Sequence, residues 1–126
     1  MMTWLTFVAA AAFLGVLTEI QAGALRLWIY TPRRMVVINV LVTVGLLFGT
    51  TAWLTSGISL PIQFLCGALL GIAYEALNFA GLNGWYFPNN KLWFLKGRAA
   101  LTVGVGVAWG LYPVLTNLLV GVLKPS

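Results

Sequence analysis

Apolar residues run through this chain in four continuous blocks, with polar residues gathered in the gaps between them. The blocks cover about residues 3–25, 35–54, 60–82 and 99–119. Each is close to the roughly 20 residues that a helix rising about 1.5 Å per residue needs to cross the hydrocarbon of a bilayer. Transmembrane β-strands would alternate apolar and polar positions, and these runs do not. The pattern predicts an all-α polytopic membrane protein: a single transmembrane domain over residues 1–126, with four transmembrane helices.

The gaps differ in character. The first, Tyr30-Thr31-Pro32-Arg33-Arg34, is short and basic. The second, Thr55 to Ser59, is short and neutral, and Pro61 follows where a helix would start. The third, roughly 83–97, is the longest and mixes Trp85, Tyr86, Phe87, Trp93 and Phe94 with Lys91 and Lys96. Basic residues therefore fall in the first and third connections, which four spans put on one side. The positive-inside rule makes that side cytoplasmic and turns both termini outward, with Lys124 a single charge against the trend. A bacterial-type inner membrane is the expected location. The first apolar run lacks a basic leading segment and extends to about Ala22, so it predicts a retained helix rather than a cleaved signal.

The blocks also repeat. Residues 14–19, Leu-Gly-Val-Leu-Thr-Glu, lie 56 positions before residues 70–75, Leu-Gly-Ile-Ala-Tyr-Glu. Pro32 precedes Pro88 by the same offset, and Trp28-Ile29-Tyr30 matches Trp85-Tyr86-Phe87 after one inserted residue. Gly45-x-x-x-Gly49 resembles Gly106-x-x-x-Gly110 in the partner helices. These matches predict two parallel-repeat hairpins, about 3–54 and 60–120, entering the membrane in the same direction.

Composition supports the class and narrows the chemistry. Only 7% of residues are charged, against about 25% in soluble domains, while 61% are hydrophobic. A chain of 126 residues cannot hide that much apolar area in one water-soluble core, although a small apolar subunit inside a complex would share the composition. The net charge is +5, but the basic residues flank apolar runs, where they set topology or meet lipid headgroups; no nucleic-acid partner is predicted. The single cysteine, Cys66, excludes an internal disulfide, and the lack of histidine excludes Cys/His metal sites and a His-activated thiol.

The two acids, Glu19 and Glu75, occupy equivalent places in the two hairpins. Ionisable side chains inside apolar helices are costly and mark either function or an internal pairing, here with Arg26 for Glu19 and with Lys96 or Arg98 for Glu75. Helical spacing puts Gly67, Gly71, Glu75, Asn78 and Leu82 on one face, and Ala11, Gly15, Glu19, Ala22 and Arg26 on another. Small residues allow close approach in lipid, so these two faces are candidates to meet, in one chain or across a dimer, and Asn78 to share the Glu75 pocket. Trp28, Tyr30, Arg33, Arg34, Trp85, Tyr86, Lys91, Trp93, Lys96 and Arg98 form the candidate interface to lipid headgroups or a partner. Pro113 should bend or interrupt the fourth helix.

Three functions fit these features. A glycine-rich bundle without an extramembrane domain first suggests a subunit that scaffolds or regulates a larger membrane complex. The second is a homo-oligomeric transporter or channel using Glu19 and Glu75, since four helices are few for a pore. The third is an intramembrane enzyme acting on a lipid or isoprenoid through Glu19, Glu75 and Asn78. Expected partners are membrane lipids and either other membrane subunits or a second copy. The residues name no cofactor; a pigment, quinone or lipid would all suit such a bundle.

Overall fold

The structure, a computed structural model, describes residues 3–123. Four helices are long and apolar enough to cross a membrane: α1 (Trp4–Leu25), α2 (Met35–Leu54), α3 (Leu60–Leu82) and α4 (Arg98–Leu123). The first three begin and end within a residue of the apolar blocks. The fourth continues past residue 119 to Leu123, because residues 120–123, Val-Gly-Val-Leu, carry no polar side chain; the Asn117 amide within it donates to the Ala52 carbonyl of α2 at 3.0 Å.

The helix ends follow local chemistry. Arg26 closes α1 in the left-handed region, with its N–H on the Ala22 carbonyl. Asn83 does the same for α3, its N–H reaching the Asn78 carbonyl at 3.0 Å. Asparagine tolerates that conformation better than most residues. Pro61 sits in the first turn of α3, where its missing N–H costs nothing. The expected effect of Pro113 is present: regular α-helix stops at Ala108 and resumes at Leu111. Proline cannot donate to the carbonyl four residues back, and that carbonyl, of Trp109, accepts instead from the Tyr112 N–H at 3.0 Å. The middle of α2, Asn39–Phe48, winds with wider π-type hydrogen bonding, which the sequence does not signal.

Each hairpin packs on itself, and α4 also touches α1 and α2. The Glu19-bearing face of α1 lies against α2, and the Glu75-bearing face of α3 against α4. The two faces therefore do not meet as expected; each is taken by its own hairpin partner. Leu82 leaves the expected face and is exposed. Small residues set the spacing. A Cβ on Gly49 would fall 2.8 Å from Val8 Cα, and one on Gly106 would fall 2.6 Å from Ile72 Cα. Both Gly-x-x-x-Gly pairs thus bring the second helix of a hairpin close to the first. Large apolar side chains such as Leu5, Ile20, Leu41, Leu69 and Val103 remain exposed around the bundle.

The third connection is more structured than a loop. Strand β1 (Ile29–Tyr30) pairs antiparallel with β2 (Trp85–Tyr86), placing Ile29 opposite Tyr86 and Tyr30 opposite Trp85. The first and third connections are thereby joined at one end of the bundle. A second pair, β3 (Lys91–Leu92) and β4 (Leu95–Lys96), forms a tight hairpin with Trp93 and Phe94 at its tip. Trp93 is in the left-handed region, an uncommon place for a bulky side chain.

Gly106→Leu should destabilise the bundle by about 1–3 kcal/mol or prevent its folding, because backbone blocks the added side chain. Gly23→Leu, where a Cβ meets nothing within 4 Å, should leave thermal unfolding in detergent unchanged. Equal melting temperatures for the two variants would contradict the α3–α4 packing.

Candidate functional site

Both glutamates are held by neutral hydrogen-bond donors. Glu75 is fully buried, 1% exposed, and accepts from two indoles: Trp109 Nε1 at 2.9 Å and Trp85 Nε1 at 3.2 Å. Glu19 accepts from Tyr30 Oη at 2.5 Å, Asn39 Nδ2 at 3.1 Å and Trp28 Nε1 at 3.3 Å. The basic partners considered from sequence are not among these donors. The Arg98 guanidinium instead lies 5.5 Å above the Phe79 ring. A cation there keeps its exposure to water, whereas pairing with Glu75 would desolvate it.

The donors are delivered by the turns. Trp28 and Tyr30 flank and form β1, directly after α1, and fold back over the helix that carries Glu19. Trp85, in β2, folds back over α3 in the same way. Asn78 makes that return rigid. Its Nδ2 donates to the Trp85 carbonyl at 2.8 Å, and its Oδ1 accepts from the Gly84 N–H at 2.8 Å and the Trp85 N–H at 3.3 Å. All three of its hydrogen bonds go to the turn, so Asn78 positions Trp85 and does not join the carboxylate.

Asn39 is the residue that sequence reasoning underrated. It is buried and links three groups, donating to Glu19 and to Tyr30 Oη (2.8 Å) and accepting from Tyr74 Oη (2.8 Å). An asparagine in the first turns of an apolar helix is its only sequence signal. Tyr74 then carries the connection onward, with its ring 4.7 Å from that of Trp85 and 5.4 Å from that of Trp109. Burial pushes the Tyr30 hydroxyl well above the usual tyrosine range, and the neighbouring Glu19 pushes it further. It is therefore a permanent donor.

The candidate interface residues separate into two groups. Trp85 is buried, and Trp28 and Tyr30 are half-buried; all three serve the glutamates or their surroundings rather than a headgroup layer. Tyr86, Lys91, Trp93, Lys96, Arg33, Arg34 and Arg98 are exposed at the joined end of the bundle. Phe94, at the hairpin tip, is 84% exposed. Cys66 is a free thiol on α3.

A cavity of about 700 Å³ lies between the C-terminal part of α1, the turns and α4. Glu75, Trp85, Phe87 and Trp109 are among its buried lining residues, and Leu25, Leu111, Trp93 and Phe94 among its exposed ones. Among the described residues, Glu75 is the only acidic or basic side chain in the lining. Glu19 does not reach it, although Trp28 and Tyr30 do. The structure thus separates two acids that look equivalent in sequence: Glu19, half-buried, sits in a hydrogen-bonded network outside the cavity, and Glu75 forms part of the wall of a space large enough for a ligand. Comparison with protein-family models, with curated proteins and with solved structures returns no significant match.

Tyr30→Phe should cost about 1.5–3 kcal/mol, the usual range for a hydrogen bond to a charged group. Asn78→Ala should loosen the turn and release Trp85, shifting tryptophan emission to the red. Unchanged unfolding for the first variant and an unchanged spectrum for the second would contradict these roles.

Proposed function

We propose that this chain is a four-span integral membrane protein that binds a lipophilic small molecule in the α1–α4 groove, as a binding or transport unit. The observation that carries the reading is the 700 Å³ cavity with Glu75 in its wall. Ligand sites are concave and mostly apolar, with a few placed polar groups, and this cavity has that character. Exposed leucines on its edge would let a lipid-soluble molecule enter sideways from the hydrocarbon.

Several observations support the membrane placement. Four helices have the required length and hydropathy, and large apolar side chains cover their outer faces. Soluble monomers rarely expose apolar patches so extensive. The basic residues of the first and third connections share one end of the bundle because β1 pairs with β2. The positive-inside rule assigns that end to the cytoplasm.

The two hairpins are read as parallel repeats, and the contacts between them support this. Ile29 pairs with Tyr86, its counterpart in the repeat. The ring pair Trp28–Phe87 at 6.2 Å becomes the pair Trp85–Tyr30 at 6.1 Å when the hairpins are exchanged. Phe48 stacks on Trp109, its counterpart one place before the second glycine of each Gly-x-x-x-Gly, at 5.2 Å. Such reciprocal contacts are what a local two-fold axis along the bundle generates.

The scaffold reading rests on lateral surfaces alone, whereas the groove gives the bundle equipment of its own. An enzyme working through a paired acid and base would need the glutamates together. They instead occupy separate donor clusters.

Ala108 is exposed and lines the groove. Ala108→Trp should fill the space and abolish uptake of an apolar fluorescent probe by the purified protein, with its melting temperature preserved. Retained uptake would remove the groove from the reading. For topology, single cysteines at Ser56 and Asn89 on a Cys66→Ser background should label differently. A membrane-impermeant maleimide should reach position 56 in intact cells and position 89 only after permeabilisation. The reverse pattern would invert the orientation, and labelling of both in intact cells would refute the spanning arrangement.

A further inference from the structure

The geometry points to a lipophilic organic monocation as the groove's ligand, with Glu75 as its counter-charge. This inference rests on the groove reading above and adds the charge class of the ligand. Its first support is the composition of the wall. Aromatic residues from both turns and α4 supply eight of its twenty lining residues, Glu75 is its single acid, and among the described residues it includes no lysine or arginine. Aromatic faces carry negative electrostatic potential and attract cations, as the carboxylate does.

The second support is how the hydrogen bonds are spent. A carboxylate has about four acceptor positions, and the indoles of Trp85 and Trp109 occupy two. Both indole N–H groups are thereby used, and indole has no other donor. What these rings present to a ligand is π surface, and Glu75 lies in the same wall, almost wholly buried, as a carboxylate with neutral donors and no basic partner. An anion would meet negative potential from both and find few donors. A small hydrated metal ion would lose its water to a wall made mainly of rings and leucines. A cation whose charge is buried under apolar substituents suits rings, aliphatic wall and carboxylate together.

The third support is the contrast with Glu19. Three neutral donors surround that carboxylate, and it is screened from the groove by Trp28 and Tyr30. The protein thus contains a second glutamate, outside the groove, as an internal control for Glu75.

The test uses the full chain in lipid nanodiscs, with equilibrium dialysis against empty discs to subtract partitioning. Three probes of similar shape are compared: tetraphenylphosphonium, uncharged triphenylphosphine oxide and the anion tetraphenylborate. The wild type should retain tetraphenylphosphonium at least about tenfold more tightly than tetraphenylborate. Glu75→Gln should weaken the cation by about tenfold and leave the neutral probe within about twofold. Glu19→Gln, if folded, should leave cation affinity within about threefold. Equal wild-type retention of all three probes, each lost in Ala108→Trp, would overturn the cation inference and leave the groove reading intact. Retention of none of them by the wild type would overturn both. Because the comparison among probes needs only the wild type, misfolding of Glu75→Gln does not remove the test.

Discussion

A carboxylate placed inside an apolar bundle must find donors there, and the way Glu75 finds them organises much of this fold. Its partners are indoles, which donate and never accept, so the only geometry that works brings ring edges to the carboxylate. One indole comes from the turn after α3. The chain must therefore reverse sharply at Asn83 and be held there, which is what Asn78 does through three hydrogen bonds to the backbone of Gly84 and Trp85. The other comes from α4, which can deliver Trp109 only if the helices nearly touch. Gly67 and Gly106 allow that approach: a Cβ on Gly67 would lie 2.8 Å from Gly110 Cα. The break in α4 falls beside Trp109, set by Pro113 one turn later. Glycine spacing, turn geometry and helix interruption are thus connected by one satisfied acid.

The helices were readable from sequence because a continuous apolar run of membrane length has few alternatives. The ends of the apolar blocks then matched the helix ends to within a residue for three of the four. The turns were not readable in the same way. The strand pairs are two residues long, and β1 and β2 come from connections more than fifty residues apart, so no local propensity announces them. Aromatic residues beside lysines suggested headgroup anchors, and for Tyr86 and Trp93 exposure agrees with that. For Trp85, Trp28 and Tyr30 the competing demand of a buried and a half-buried carboxylate prevailed. The role of Asn39 depends on α1, the first turn and α3 converging on it, which is a property of tertiary closure and leaves almost no trace in sequence. The glutamates themselves were the clearest signal, although their expected meeting was not: small residues beside each acid admitted its own hairpin partner.

The proposed ligand site uses what this construction leaves over. Once Trp85 and Trp109 have turned their N–H groups to Glu75, the space beside them is lined by rings and aliphatic chains. The tip of the β3–β4 hairpin, Trp93 and Phe94, belongs to the same lining while being largely exposed. The aromatic turn therefore serves two ends. Its buried residues complete the acid's hydrogen bonding, and its exposed ones border the groove. This division accounts for a connection longer and more aromatic than a simple helix–helix turn requires.

On the proposed repeat, the difference between the two acids has a specific origin in three substitutions. Tyr30, which donates its hydroxyl to Glu19, corresponds to Phe87, which has no hydroxyl. Asn39, the second donor to Glu19, corresponds to Ala100 when the Gly-x-x-x-Gly pairs are aligned. In the other direction Phe48, which has no polar atom, corresponds to Trp109, which supplies an indole to Glu75. The tryptophan of the turn, Trp28 or Trp85, is common to both. One hairpin has thus gathered a phenol, an amide and an indole around its carboxylate, while the other carries two indoles and no further donor. Three donors tie the first acid into a polar network, while two indoles hold the second and leave π surface beside it. On these proposals, a duplicated unit keeps the costly carboxylate in both halves, using one copy to fasten the bundle and the other to meet a ligand.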